Sequence, residues 1–169
     1  MIGEDLGTVP AGVREELHRR RLLSTRLALF ERVEPARYPQ QSFAGVTTHD
    51  LPTTAGTWGG SDLDDQAASG VNPDPEGLAL LRSRLARAAG VATDASLDRL
   101  VDRLHSRLAA APPMLLAATL EDALNVEERP NMPGTTSASR DNWSLALPVS
   151  IEELSQRADV ASLTEALRR

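Results

Sequence analysis

Apolar residues along the chain fall into a few runs, and the period of each run indicates the element it can form. Leu97, Leu100, Val101, Leu104 and Leu108 recur at the three- and four-residue spacing that lines one side of an amphipathic helix. Pro112 and Pro113 stop that helix, because proline donates no backbone hydrogen bond and restricts the residue before it. A second helix is expected over 76–89. The run MLLAATL, over 114–120, is continuously apolar and has the length of a buried strand. STRLALF over 24–30 and SFAGVTT over 42–48 read as further strands, and Met1-Ile2 as the tail of another. Thr8 as a cap and Pro10 in the first turn predict a helix over 10–22. Gly, Asp and Pro dominate 51–75, which therefore reads as loop, as does 129–148; a last helix is expected over 152–167.

Strands alternating with helices imply an α/β fold with a parallel sheet and helical crossovers. Glu4, Asp50 and the pair Glu121-Asp122 each stand where a strand ends. In a (β/α)8 barrel the C-terminal ends of the strands carry the active site, so these positions are informative. About four strands are visible where a closed barrel needs eight, and the pattern therefore fits half a barrel.

Composition narrows the functions available. Of 169 residues, 41% are hydrophobic and 25% charged, as in a globular protein, and the net charge of -6 argues against a nucleic-acid partner. No apolar stretch reaches the length needed to cross a membrane, and the first residues lack the pattern of a signal peptide, so a cytoplasmic location is expected. There is no cysteine, which removes thiol chemistry and fits a reducing compartment. All 18 basic residues are arginine, so Schiff-base catalysis and a P-loop, both of which need lysine, are excluded. His18, His49 and His105 are too scattered for a metal site, and neither a metal nor any other cofactor is called for.

Glu4 and Asp50 could serve as paired carboxylates of the kind glycoside chemistry requires, or could cap the helices that follow them. His49 could hold a sugar hydroxyl. His18 and His105 read as exposed helix residues, and Asp62, Asp64 and Asp65 as a solvated acidic stretch. Aromatic residues are only 3% of the chain, so Tyr38, Trp58 and Trp143, all in expected loops, are the candidates for stacking on a sugar; Phe30 and Phe43 are expected in the core.

Three segments together resemble one family. IGEDLGTVP over 2–10 is similar to the acid/base segment of the amylomaltase (4-α-glucanotransferase) family. TTHD over 47–50, followed by Pro52-Thr53-Thr54, resembles its second motif. Glu121-Asp122-Ala123-Leu124, with NMPGT over 131–135 and Asn142-Trp143, resembles its C-terminal signature. The resemblance implies the C-terminal half of a (β/α)8 barrel over 1–148, with a closing helix over 149–169, and a retaining transfer of α-1,4-glucan segments between maltodextrins. It implies Glu4 as general acid/base, Asp50 as transition-state stabiliser, and His49, Asp122 and Asn131 at the substrate, where Trp58 is added as a loop aromatic able to stack on a sugar. The family's nucleophilic aspartate lies on the strand before the one ending at Glu4 and has no counterpart here, so the chain alone is expected to be inactive. The exposed edges of a half barrel suggest a homo-oligomer. A non-catalytic α-glucan-binding or interaction module is the competing expectation.

Overall fold

A computed structural model describes residues 1–168. Four strands, β1 (Ile2–Gly3), β2 (Leu23–Leu27), β3 (Ser42–Gly45) and β4 (Leu115–Leu116), pair in chain order, each parallel to the next. Their C-terminal ends therefore face the same way. Helix α1 (Val13–Arg19) connects β1 to β2, and a 3-10 turn (Pro35–Arg37) connects β2 to β3. Helices α2 (Thr54–Gly59), α3 (Asp62–Ala68), α4 (Pro75–Ala89) and α5 (Leu97–Ala109) fill the long crossover to β4. Beyond it come α6 (Leu120–Leu124), α7 (Ile151–Leu154) and α8 (Ala158–Ala166). Among the described residues no helix is long and apolar enough to cross a membrane.

Helix α5 follows its apolar period: Leu100, Leu104 and Leu108 are fully buried against Leu85, Ala86 and Ala89 of α4 and against Ala28, Leu29, Ala44 and Val46 of the sheet region. Side-chain caps start three of the later helices, α4, α5 and α6. Asp74 accepts from the Gly77 N–H before α4, Ser96 from Arg99 before α5, and Thr119 from Asp122 before α6.

Several expectations are revised. The stretch over 51–75 contains α2 and α3, because Thr53 accepts the Gly56 N–H at 2.9 Å and the acids of α3 sit in its first turn, where the helix dipole favours negative charge. Helix α1 starts at Gly12, whose φ of 86° ends the preceding turn, and Thr8 caps nothing there. The run over 114–120 pairs only through Leu115 and Leu116, because Thr119 turns the chain into α6. The last predicted helix is two helices, broken between Leu154 and Ala158. Phe30 and Phe43 are only partly buried.

β1 and β4 are the two edges of the sheet, and the exposed apolar residues Met1, Ile2, Met114 and Leu115 cluster on them or beside them. Unpaired edges with apolar side chains are surfaces a stable protein normally covers.

Gly56 sets how closely α2 approaches the later chain. A Cβ there would run into the carbonyl oxygen of Glu127, which the Thr53 hydroxyl binds at 2.8 Å. Gly56→Ala is expected to destabilise the fold by about 1–3 kcal/mol in urea unfolding, since backbone must move to admit the methyl group. A variant as stable as the parent would show that this contact is not tight.

Candidate active site

Glu4 follows β1 directly and Asp50 follows β3 after a short loop, both on the C-terminal edge of the sheet. With β2 between them, the parent strands lie about 10 Å apart. Glu4 is positioned through its neighbours. The Gly3 carbonyl accepts from Thr25 Oγ1 at 3.0 Å, and Asp5 Oδ1 accepts from the Thr25 N–H at 2.8 Å. Arg14 Nε donates to Asp5 Oδ2 at 3.0 Å, its Nη2 donates to the Asp5 carbonyl at 3.0 Å, and Arg26 lies 3.9 Å from the same carboxylate. Asp5 is thus a buried, charge-paired anchor, and the adjoining Glu4 is exposed on a main chain clamped from both sides. A solvent-accessible carboxyl on a fixed backbone can give and take a proton without losing its place.

Asp50 is built from two distant parts of the chain. Asn131 Nδ2 donates to Asp50 Oδ1 at 2.6 Å, and His49 Nε2 lies 3.4 Å from that oxygen. The Asn131 N–H donates to the His49 carbonyl at 3.2 Å, so main chain and side chain fix the same junction. Trp143 completes the group, its ring centroid 5.0 Å from that of His49 and tilted by 48°.

The loop that carries Asn131 and Trp143 is pinned to α3 by two arginines. Arg129 binds Asp62 through Nη2 at 2.5 Å to both oxygens and through Nε at 2.8 Å, and this pair is buried. Arg140 grips Asp65 at 3.1 and 2.9 Å and donates to the Arg129 carbonyl at 2.6 Å. Asn142 Oδ1 accepts from the Met132 N–H and from Arg140, while its Nδ2 donates to Thr135 Oγ1. Forked, charge-assisted bonds of this kind fix direction as well as distance.

The family model described as 4-alpha-glucanotransferase matches residues 1–150. The chain belongs to the 4-alpha-glucanotransferase family. A 4-alpha-glucanotransferase of Mycobacterium tuberculosis is 32% identical over 195 residues, an alignment covering 99% of the chain and 27% of the relative. One from Chlamydia trachomatis is 28% identical over 174 residues, covering 98% of the chain and 32% of the relative. The chain thus spans about a third or less of these relatives. The crystal structure of amylomaltase from Corynebacterium glutamicum superimposes with a TM-score of 0.84 at 28% identity, covering all of the chain and 29% of that protein. Amylomaltase from Streptococcus agalactiae, solved in complex with acarbose, shares the fold with a TM-score of 0.65 at 17% identity, over 98% of the chain and 30% of that protein.

The structure of this family member brings Asp50, His49 and Asn131 together and sets Trp58 and Asp122 apart from them. Trp58 is 5% exposed, donates its indole N–H to the Ala95 carbonyl at 2.8 Å, and carries the Arg82 guanidinium over its ring at 4.9 Å. It is a core residue of α2 with no ring face free for a sugar. Asp122 is 2% exposed, and its Oδ2 lies 3.3 Å from Nε2 of His105, whose Nδ1 donates to the Val101 carbonyl at 2.8 Å. Asp122 therefore faces α5, and His105 is buried where an exposed histidine was expected. Asp62 is buried and Asp65 half-buried for the same kind of reason, each paired with an arginine, and only Asp64 is solvated as expected. Tyr38 is also buried, and burial pushes its phenol above the ordinary tyrosine range. Among the described residues no group of three or more His, Asp or Glu side chains could hold a metal ion.

Asp5, Arg129 and Arg140 are the residues that sequence spacing missed, since their partners lie far away in the chain. Asp62→Ala would leave the Arg129 guanidinium buried without its counterion. It is expected to cost about 3–5 kcal/mol of stability in urea unfolding. A loss below about 1 kcal/mol would mean that the pair is not desolvated as drawn.

Proposed function

We propose that this chain is the C-terminal half of the catalytic (β/α)8 barrel of a 4-alpha-glucanotransferase, with 1–148 forming the half barrel and 149–169, of which residue 169 lies outside the described residues, belonging to the end of the same domain. The reading rests on one observation: Glu4 and the His49–Asp50–Asn131 cluster stand on the same C-terminal edge of a parallel sheet, within a chain of this family. The substrate is an α-1,4-glucan such as a maltodextrin, met in the cytoplasm.

In the first half-reaction the bond between C1 and the glycosidic oxygen breaks while an aspartate oxygen bonds to C1. Glu4 gives its proton to the departing 4-oxygen. In the second, Glu4 takes the proton from the 4-hydroxyl of an acceptor glucan as that oxygen displaces the aspartate, so two inversions retain the configuration. Asp50 accepts hydrogen bonds from hydroxyls of the distorted sugar as charge develops at C1, with His49 beside the same ring. Asn131 keeps the Asp50 carboxylate turned to that task, leaving Oδ2 unbonded among the described residues. The aspartate that forms the covalent link is the one the family carries on the strand before Glu4, and residues 1–169 supply no counterpart. The exposed apolar edges at β1 and β4 are the seams where further strands of the barrel join, supplied in isolation by a second copy of the chain.

Two measurements test this. Maltoheptaose titrated into the chain by calorimetry is expected to bind, with Asp50→Ala weakening the affinity about tenfold or more, the range for losing a hydrogen bond to a charged group. Equal affinity in the variant would remove Asp50 from the site. Incubation of the chain alone with maltotriose is expected to release no glucose, because the covalent step lacks its nucleophile. Steady turnover by the purified chain would refute the assignment of that nucleophile.

A further inference from the structure

Trp143 stands out among the side chains near Asp50. It is 64% exposed, whereas the other tryptophan, Trp58, is packed in the core. Its backbone has φ of 63°, a left-handed conformation that a bulky residue adopts only when its surroundings enforce it. The enforcement is visible: the Trp143 N–H donates to the Pro130 carbonyl at 2.9 Å, and the neighbouring Asn142 is locked to Met132, Thr135 and Arg140. The fold thus holds a strained residue in place and leaves most of its large apolar ring exposed. Neither feature stabilises the protein, and together they mark a residue kept for contact with something else.

The position of the ring says what that contact is. One side of Trp143 meets His49, the immediate neighbour of Asp50. Another forms a wall of a cleft of about 380 Å³ lined mainly by Leu120, Val126, Pro130, Leu145 and Leu147, with Glu121 and Glu128 also on its wall. A surface that is apolar and aromatic, and continuous with a cluster of carboxylate, imidazole and amide groups, matches a glucan chain. Such a chain presents hydroxyls at its rims and C–H groups on the faces of its rings. We infer that Trp143 is a substrate-binding residue on which the apolar face of a glucosyl ring stacks, next to the ring held by His49 and Asp50. The cleft beside it receives the continuing α-1,4-glucan. This inference rests on the glucan reading of the Asp50 site and adds a specificity element to it. A longer glucan gains from the platform, and a monosaccharide confined to Asp50 does not.

The test uses the whole chain, maltoheptaose, and two readouts. Acrylamide quenches the fluorescence of exposed Trp143 and spares buried Trp58, so saturating maltoheptaose is expected to protect the quenchable fraction. Calorimetry of Trp143→Gly is expected to show affinity for maltoheptaose weakened about five- to tenfold, the range for losing an aromatic contact. Glycine accepts the left-handed backbone freely, so the melting temperature of that variant should be unchanged or raised. A purely structural tryptophan would instead lower it. Unchanged quenching, unchanged affinity in Trp143→Gly, or a melting temperature several degrees lower would each overturn the role of Trp143. If the parent chain binds maltoheptaose and Asp50→Ala weakens that binding, such a result leaves the Asp50 site standing. If the parent chain shows no saturable binding, both readings fall.

Discussion

The arginine pairs on α3 are the constraint on which the candidate site depends. Asp50 belongs to the loop after β3, and the residues that orient and flank it, Asn131 and Trp143, belong to a loop about eighty positions later. Nothing local brings these loops together. Arg129 on Asp62 and Arg140 on Asp65 do so, and the second arginine also binds the carbonyl of the first. Burying a guanidinium and a carboxylate is costly unless the geometry is good and the remaining donors are satisfied. Here the forked contacts and the carbonyl bond meet that condition, and the pairs lock one register of the loop. Gly56 belongs to the same arrangement, because its missing side chain lets α2 reach the Glu127 backbone where this loop begins.

A second anchor works at the other end of the sheet edge. Asp5 has no solvent access and spends its carboxylate on Thr25, Arg14 and Arg26, which fixes the turn out of β1. Of two adjacent acids, one is a structural pin and the other projects into solvent. That division leaves Glu4 an accessible carboxyl whose place is set by the bonds of its neighbours. Parallel pairing from β1 to β4 then turns all the strand ends to one side, so that Glu4 and Asp50 fall on the same face.

How much of this could be read from the sequence follows from how local each determinant is. The buried stripe of α5 was legible because a helix repeats its contacts every three or four residues. His105 was not, because the carboxylate it meets, Asp122, lies on another helix. Helices α2 and α3 were hidden by their glycines and aspartates, which signal turns in isolation and are explained only by the packing of Gly56 and the pairing of Asp62 and Asp65. Glu4, His49, Asp50 and Asn131 were identifiable as motif residues at strand ends and in the loop after the last strand. The separation of Trp58 and Asp122 from them was not, since a motif gives residue types and order and says nothing of which way a side chain turns. Trp143 was visible as an aromatic in a loop, but its exposure and strained backbone belong to the three-dimensional fold.

The central claim is that Glu4 and the Asp50 cluster form one glucan site on this chain. The most direct measurement is a crystal structure of the chain soaked with maltoheptaose. The account predicts one saccharide lying along the C-terminal edge of the sheet, within hydrogen-bond distance of both Glu4 and Asp50. A saccharide bound elsewhere on the chain, with that edge empty, would contradict it.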